Sequence, residues 1–387
     1  MTDMAKYWTK ILLQSLIITL IAWGLTYLIK YDVTSLSAFA PMEKSNSFEM
    51  SDMYVTVADR QSQHKLDDNI LLVSVDNCSR QKVVECLQTI QAYSPLCIGL
   101  DVIFPWETDN DDELLNILAA GNVVLSTMLE YNEETCNFSW QQCSFFDSWF
   151  MPQDFGSVNL AINNQQEVIR TFRPFFPLTN GDTIASMAAR LALWKDYDAY
   201  VLLKNRNNTH EIIDFACKEF FTINADMLLS DSTDSEYLED AITGKIVLVG
   251  DIENKNDTYL CPLKQTSSGL QIHACSLSTI LSYDYIKQSS TFANWFWAFL
   301  ICFIVAVVNC WAKEKWDDVQ NLLSRLIQIL TLFLICFAGC LMFAYVHYYY
   351  DCSNLLLMVG LGSLAFDLTY GTIYVIRKMN NKRVKTK

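Results

Sequence analysis

The sequence predicts a single large extracytoplasmic α/β domain with a mainly parallel sheet, joined to four transmembrane helices, one N-terminal and three C-terminal. Three observations lead there. Apolar spans occupy 11–29, 292–312, 326–346 and 354–376, each near the roughly 20 residues that cross ~30 Å of hydrocarbon. Between the first and second, residues 31–290 carry 16 Lys+Arg against 37 Asp+Glu, a net charge of −21, while the rest of the chain nets +6. Within that acidic segment, short runs rich in β-branched residues alternate with stretches of helical period, the pattern of a parallel sheet with crossover helices.

Charge sets the sides, because Lys and Arg are retained on the cytoplasmic face. Lys6 and Lys10 precede span one. Lys313, Lys315 and Arg325 fall in the predicted loop 313–325, and six cations form a basic tail over 377–387. Four spans with both termini inside satisfy all of these placements, in a cell inner membrane. The short connection 347–353 then falls outside and holds no Lys or Arg. Ala38 and Ala40 make an A-x-A pattern of the kind that precedes signal-peptide cleavage. The apolar run is long for an h-region and Pro41 follows, so span one is expected to stay attached. The acidic balance argues against nucleic acid as a partner, since phosphate binding needs a basic surface.

Of the 13 cysteines, Cys302, Cys310, Cys336 and Cys340 lie in spans, where Cys acts as a small hydrophobe, and eight lie in the outer domain, where disulfides are permitted. Cys136 and Cys143 bracket a short aromatic loop and are the best candidate pair. Cys78, Cys97 and Cys217 sit in or beside apolar runs and read as core. No C-x-x-C pair points to a zinc ribbon or a thioredoxin-like site.

Along the domain, residues 53–57 read as an edge strand and ILLVSVD (70–76) as the first buried strand. Ser79 caps a helix on which Val83, Val84, Leu87 and Ile90 recur. LCIGLDVIF (96–104) is a second strand, ended by Pro105. Acidic residues at 109–113 open a helix that Gly121 closes, and NVVLSTML (122–129) is a third strand. GSVNLAI (156–162), VIRTFRPFF (168–176) and EIIDF (211–215) read as further strands, and 182–193 as a helix capped by Asp182. Gly244 stops a helix before the buried strand KIVLVGD (245–251), and 268–282 is helical and leads towards span two.

Asp76, Asp101 and Asp251 end or come just after buried strands, and ligands of open parallel sheets bind at the carboxyl ends of strands. Converging carboxylates there suit a divalent cation or a cationic ligand; equally, each Asp caps a helix or fixes a loop. Both readings stand, and no particular metal is assigned. Gly250 is followed by Asp257, Tyr259, Pro262 and Gly269 but by no G-x-G-x-x-G, so no cofactor is expected. His273, on the last outer helix, is either a core residue or a ligand or pH-responsive group. The run ETDNDDE (107–113) lacks the turn Gly and closing Glu of a calcium loop and reads as a helix start. Hydrolase, metalloprotease, P-loop and kinase signatures are all missing, so no enzyme activity is expected. In span four, Asp367 lies roughly 15 Å along the helix from Arg377. An acid at that depth faces a partner or a wet cavity, and Thr331 on span three, at similar depth, is a candidate hydrogen-bond partner; a polar packing contact between spans and a signalling role both stand.

These motifs, in this order, resemble proteins with the type-two CHASE domain, an extracytoplasmic sensory module of bacterial receptors. The resembling residues are ILLVSVDNCSR (70–80), CIGLDVIF (97–104), GSVNL (156–160) with VIR (168–170), and the stretch 244–274 from GKIVLVGD to SGLQIHA. One span, the domain and then three spans is also that family's order. The resemblance implies sensing of an extracytoplasmic signal, passed through the spans to a cytoplasmic histidine kinase, nucleotide cyclase or protein kinase. Asp76, Asp101, Gly250, Asp257, Pro262, Gly269 and His273 match its motifs. Departures are QKVVECL where an aromatic-proline-arginine stretch is usual, Cys261 in place of Thr, and QEVI before Arg170.

The leading expectation is therefore a multi-pass membrane sensor whose output is a separate polypeptide. A structural or assembly subunit of a cell-envelope complex is the second, and a metal-dependent hydrolase built on the strand-end acids the third. The ligand, the partner and the oligomeric state, a homodimer included, are left open.

Overall fold

A computed structural model describes residues 3–33, 50–61, 65–108, 111–160, 168–216, 218–263, 266–316 and 319–385. It divides into two compact units, Met1–Tyr54 with Lys287–Lys387, and Val55–Ile286. Helix α1 (Asp3–Tyr27) runs on into a π-helical stretch, Leu28–Val33. Helix α2 (Met50–Gln61) comes next, which corrects the edge strand expected at 53–57. Tyr54, Val55 and Ala58 are its buried apolar residues, and that helical spacing overrides the β preference of Val55, Thr56 and Val57.

The chain continues through β1 (Lys65–Ser74), α3 (Arg80–Ala92), β2 (Cys97–Asp101), α4 (Asp111–Leu118) and β3 (Val123–Asn132). As expected, Ser79 caps α3, its Oγ accepting from Lys82 N, and Gly121 takes the left-handed φ of +85° beyond α4. β3 turns back into β4 (Asn137–Gln141), and β5 (Phe155–Ser157) pairs with β3. Of the strand expected over 156–162, only that short piece forms, and 161–162 lie outside the described residues.

The single strand expected over 168–176 separates into β6 (Thr171–Phe172) and β7 (Phe175–Pro177), and β7 pairs with β8 (Thr183–Ala185). The helix expected from Asp182 therefore begins later, as α5 (Met187–Lys195), with Ser186 as its cap. Then come α6 (Tyr197–Arg206), β9 (Glu211–Ile212), β10 (Lys218–Asn224), α7 (Ala225–Leu228) and α8 (Ser235–Ile242). β11 (Ile246–Gly250), the hairpin β12 (Thr258–Leu260) and β13 (Thr266–Ser268), and α9 (Gly269–Leu281) complete this unit.

The central sheet runs β10-β1-β11-β2-β3-β4, with β5 on β3; all its pairings are parallel except β3–β4. Both faces are covered, which is why its strands read as unbroken apolar runs. Leu71, Val73, Val247, Val249, Ile98 and Leu100 join α3 and α4 in one core. The alternate residues Ile70, Leu72, Ile246 and Leu248 are equally buried, and α5 and α9 pack on the strands. Gly99 admits Leu191 of α5: a Cβ there would lie 2.8 Å from its Cδ1.

Cys136 and Cys143 stand apart as free thiols, which corrects the expected pair. β4 lies between them in sequence, and an extended strand of five residues spans roughly 16 Å, far beyond the ~7 Å Cα limit of a disulfide. Cys97 is buried and Cys78 half-buried; Cys217 lies outside the described residues.

The other unit holds the remaining long helices: α10 (Thr291–Lys315), α11 (Gln320–Val346) and α12 (Ser353–Lys385). With α1 they make four helices, among the described residues, long and apolar enough to cross a membrane. Strand β14 (Lys287–Gln288) pairs with β15 (Tyr348–Tyr349) before α10 and α12 begin. The helices alternate in direction. Lys10 on α1 bonds Glu314 at the end of α10 at 2.5 Å, whereas Lys30 reaches Asn354 at the start of α12 at 2.8 Å. Arg325 sits on α11 rather than in a loop and lies 3.9 Å from Asp367, both side chains exposed. Thr331, the candidate partner of Asp367, instead donates to Ile327 O of its own helix at 2.7 Å, the usual way a helical Thr satisfies its hydroxyl.

Candidate functional site

Register brings the strand-end acids to one edge. In the parallel sheet Ser74 pairs with Gly250, and Gly250 with Asp101, so β1, β11 and β2 end level. The loops beyond the three strands use their acids differently. Asp76 turns onto the backbone beyond β11: Ile252 N donates to its two oxygens at 3.1 and 2.9 Å, Glu253 N at 2.9 Å, and Ser74 Oγ donates as well. Its carboxylate is thus spent on fixing a loop. Asp251 accepts from Asn254 Nδ2 at 3.1 Å.

Asp101 is in a different position. No ion pair reaches it among the described residues, and burial, reinforced by the negative charge of Asp251, pushes its carboxyl up to about 7. Gly250 lets the two strands close here, since a Cβ would stand 3.1 Å from Asp101 O and 3.2 Å from its Cβ. Asp257 ends a one-turn helix, Lys255–Asp257, and the hairpin pairing Thr258↔Ser268 carries it to the start of α9. There Gly269 N donates to Asp257 Oδ2 at 3.2 Å. Ser268 and Gln271 form a capping box on the same turn, at 3.2 and 3.1 Å. Asp257 is raised by burial first and then by Asp101.

Two further groups complete the cluster. Tyr259 shares a hydrogen bond with Asp257, and burial together with that carboxylate pushes its phenol up to about 12. His273, one turn into α9, is buried and driven down to about 4, Asp257 opposing the shift only in part. So Asp101, Asp257, Tyr259 and His273 form a polar knot at the N-terminus of α9, with Asp251 beside it. Its imidazole is held below the ordinary range and its two carboxyls above theirs, Asp101 reaching about 7. Pro262 is buried in the loop between β12 and β13. Asp76 stands apart from this knot. Tyr259, noted in the sequence after Gly250, is the member given no site role there; its position two residues after Asp257 at a hairpin start is the signal that marks it.

Among the described residues, no group of three or more His, Cys, Asp or Glu is arranged to hold a metal ion.

Every residue of this edge lies inside a stretch, 33–310, that matches the CHASE2 domain. The chain belongs to the CHASE2 family. The match begins where the first apolar helix ends, takes in the whole sheet and closes within α10. CHASE2 is a sensory domain family, and no output-domain family is found along these 387 residues. No curated protein and no solved structure gives a match.

Proposed function

We propose that this CHASE2 protein is a membrane sensor that detects an extracytoplasmic signal in its α/β domain and relays it, through its four apolar helices, to a separate signalling partner. The observation that carries this reading is the family match running unbroken from the sheet into α10. Strand-end residues Asp101, Asp251, Asp257 and His273 are the part of the domain most responsive to a bound or titrating group, with Asp76, Gly250, Pro262 and Gly269 shaping the edge around them.

The proposed orientation has both termini in the cytoplasm of a cell whose inner membrane the helices cross, with the α/β domain outside. Two things support it. Lys6, Lys10, Lys313, Lys315, Arg325 and the cations of 377–385 belong to helix ends that alternate in the matching sense, as the Lys10–Glu314 pair illustrates. The domain between α1 and α10 carries the net charge of −21.

The test is affinity purification of the full-length protein from native membranes after cross-linking, combined with accessibility labelling at 6 and at 231. A cytoplasmic or membrane signalling protein should co-purify, and only position 231 should react from outside. Recovery of envelope-assembly proteins alone, with signalling output unchanged on deletion, would transfer the protein to a structural role.

A further inference from the structure

The α/β domain has a second concave feature, remote in sequence from the strand-end acids. Arg173, in the turn between β6 and β7, Arg190 on α5 and Lys204 on α6 line one open cavity of about 710 Å³. That volume falls in the usual range of small-molecule sites. Three cations lining one cavity are unusual in a segment of net charge −21. Asp182 is the one acid in the lining, and it already accepts from Asn180 Nδ2 at 2.8 Å.

None of the three cations makes an ion pair among the described residues. Arg173 donates from Nε to Phe175 O at 3.3 Å, and its guanidinium lies 4.7 Å above the Phe138 ring, so it is held in place by neutral partners. Arg190 Nε is buried with no hydrogen-bond partner among the described residues. Burial lowers both guanidinium groups from their ordinary range, and Tyr131 beside Arg173 and Tyr200 and Asp154 beside Arg190 offset this only in part. Buried donors of this kind are normally satisfied. A carboxylate or phosphate would meet them with charge-assisted hydrogen bonds. The lining also offers apolar surface: the Phe175 ring meets Tyr200 edge-on at 5.7 Å, and Ile184 lines the cavity as well.

We propose that this cavity binds a small organic anion, a carboxylate or phosphate group facing Arg173, Arg190 and Lys204 and an apolar body lying against Phe175 and Tyr200. Arg190 and Lys204 stand on α5 and α6, helices capped by Ser186 and Asp196, while Arg173 is held by its Phe175 and Phe138 contacts. That the bound anion is the sensed signal rests on the sensor reading above; the binding itself does not.

The experiment is calorimetry on the full chain in lipid nanodiscs with benzoate, phenyl phosphate, inorganic phosphate and benzyl alcohol. Saturable binding of benzoate or phenyl phosphate is expected, the stronger of the two naming the anionic group, with benzyl alcohol inert. Arg190→Gln and Lys204→Gln should each weaken it by about tenfold or more. Lys204 is exposed, so its variant keeps the fold even where Arg190→Gln does not. No saturable binding of either aryl anion at millimolar concentration, or unchanged affinity in Lys204→Gln, overturns the proposal. Anion binding without a recovered signalling partner would count against the sensor reading alone; a partner without anion binding would count against this site alone.

Discussion

The Asp257 carboxylate occupies the space that a side chain at Gly269 would need. Gly269 N donates to its Oδ2 at 3.2 Å, and a Cβ on residue 269 would stand 2.8 Å from that oxygen. The contact ties the hairpin β12–β13 to the first turn of α9, where unpaired N–H groups and the helix dipole favour an anion. Gly269→Ala must therefore push the carboxylate off its donor. A stability loss of about 1–3 kcal/mol is expected, as for other overpacking changes. Asp257→Asn keeps the shape and should cost less. Thermal unfolding of the two variants decides it; equal melting temperatures for Gly269→Ala and the parent would show the contact to be idle.

Two opposed pH slopes should come from the same knot. Asp101 is held up at about 7 by burial and Asp251, above the ordinary ~3.9 of an unfolded Asp. The folded state thus keeps a proton that the unfolded chain releases, so this contribution is full below about pH 4 and fades as pH rises to about 7. His273 is driven down to about 4, below its ordinary ~6.5. Its contribution is present above about 6.5 and fades as pH falls towards 4. Melting curves from pH 4 to 8 should show Asp101→Asn gaining on the parent as pH rises, and His273→Gln gaining as pH falls. A constant offset for both across that range would remove the knot as a titrating unit.

A third expectation concerns Arg206 and Glu211. Their guanidinium and carboxylate meet in a fork, Nε–Oε1 at 2.6 Å and Nη2–Oε2 at 2.9 Å, with Glu211 only 3% exposed and the guanidinium 4.3 Å above the Tyr285 ring. Removing the cation strands a buried carboxylate, so Arg206→Ala should cost about 3–5 kcal/mol. Arg206→Lys restores charge but neither the fork nor the stacking, and should recover only part. Adding Glu211→Gln to Arg206→Ala should recover more than Arg206→Lys does; if the double variant is no better than Arg206→Ala, the cost lies in lost packing instead.

What could be read from the chain tracks how continuous the burial is. The buried stretches of β1, β2, β3 and β11 lie under helices on both faces, so they read as mainly apolar runs. β10 is hidden in the sequence because KEFFTIN mixes exposed Glu219, Thr222 and Asn224 with buried Ile223 at the sheet edge. Residues 53–57 have strand-like composition, yet only tertiary burial of Tyr54, Val55 and Ala58 sets their period. At the site, Asp101, Asp257 and His273 stand out through the family resemblance. Their convergence depends on the β12–β13 pairing, which no local pattern announces. The cations of the Arg190 cavity come from three elements and leave no linear trace.

The Tyr54–Gly339 contact offers the last test. Tyr54 on α2 is fully buried, and its hydroxyl lies 3.1 Å from Cys352 Sγ. Burial first, then the Cys352 bond, holds the phenol well above its ordinary range, so it stays neutral. Its ring sits 6.0 Å from those of both Phe343 and Tyr349, and its hydroxyl end enters the notch that Gly339 leaves on α11. A methyl group at 339 would collide with that hydroxyl and with the ring edge behind it. Gly339→Ala should therefore destabilise the full-length protein by about 1–3 kcal/mol. In a Tyr54→Ala background the same change has nothing to strike and should be close to neutral, a coupling of the size that contacting residues show. Unfolding of the four proteins in nanodiscs measures that coupling directly. An effect of Gly339→Ala that is the same in both backgrounds would mean that the notch is filled by something other than Tyr54.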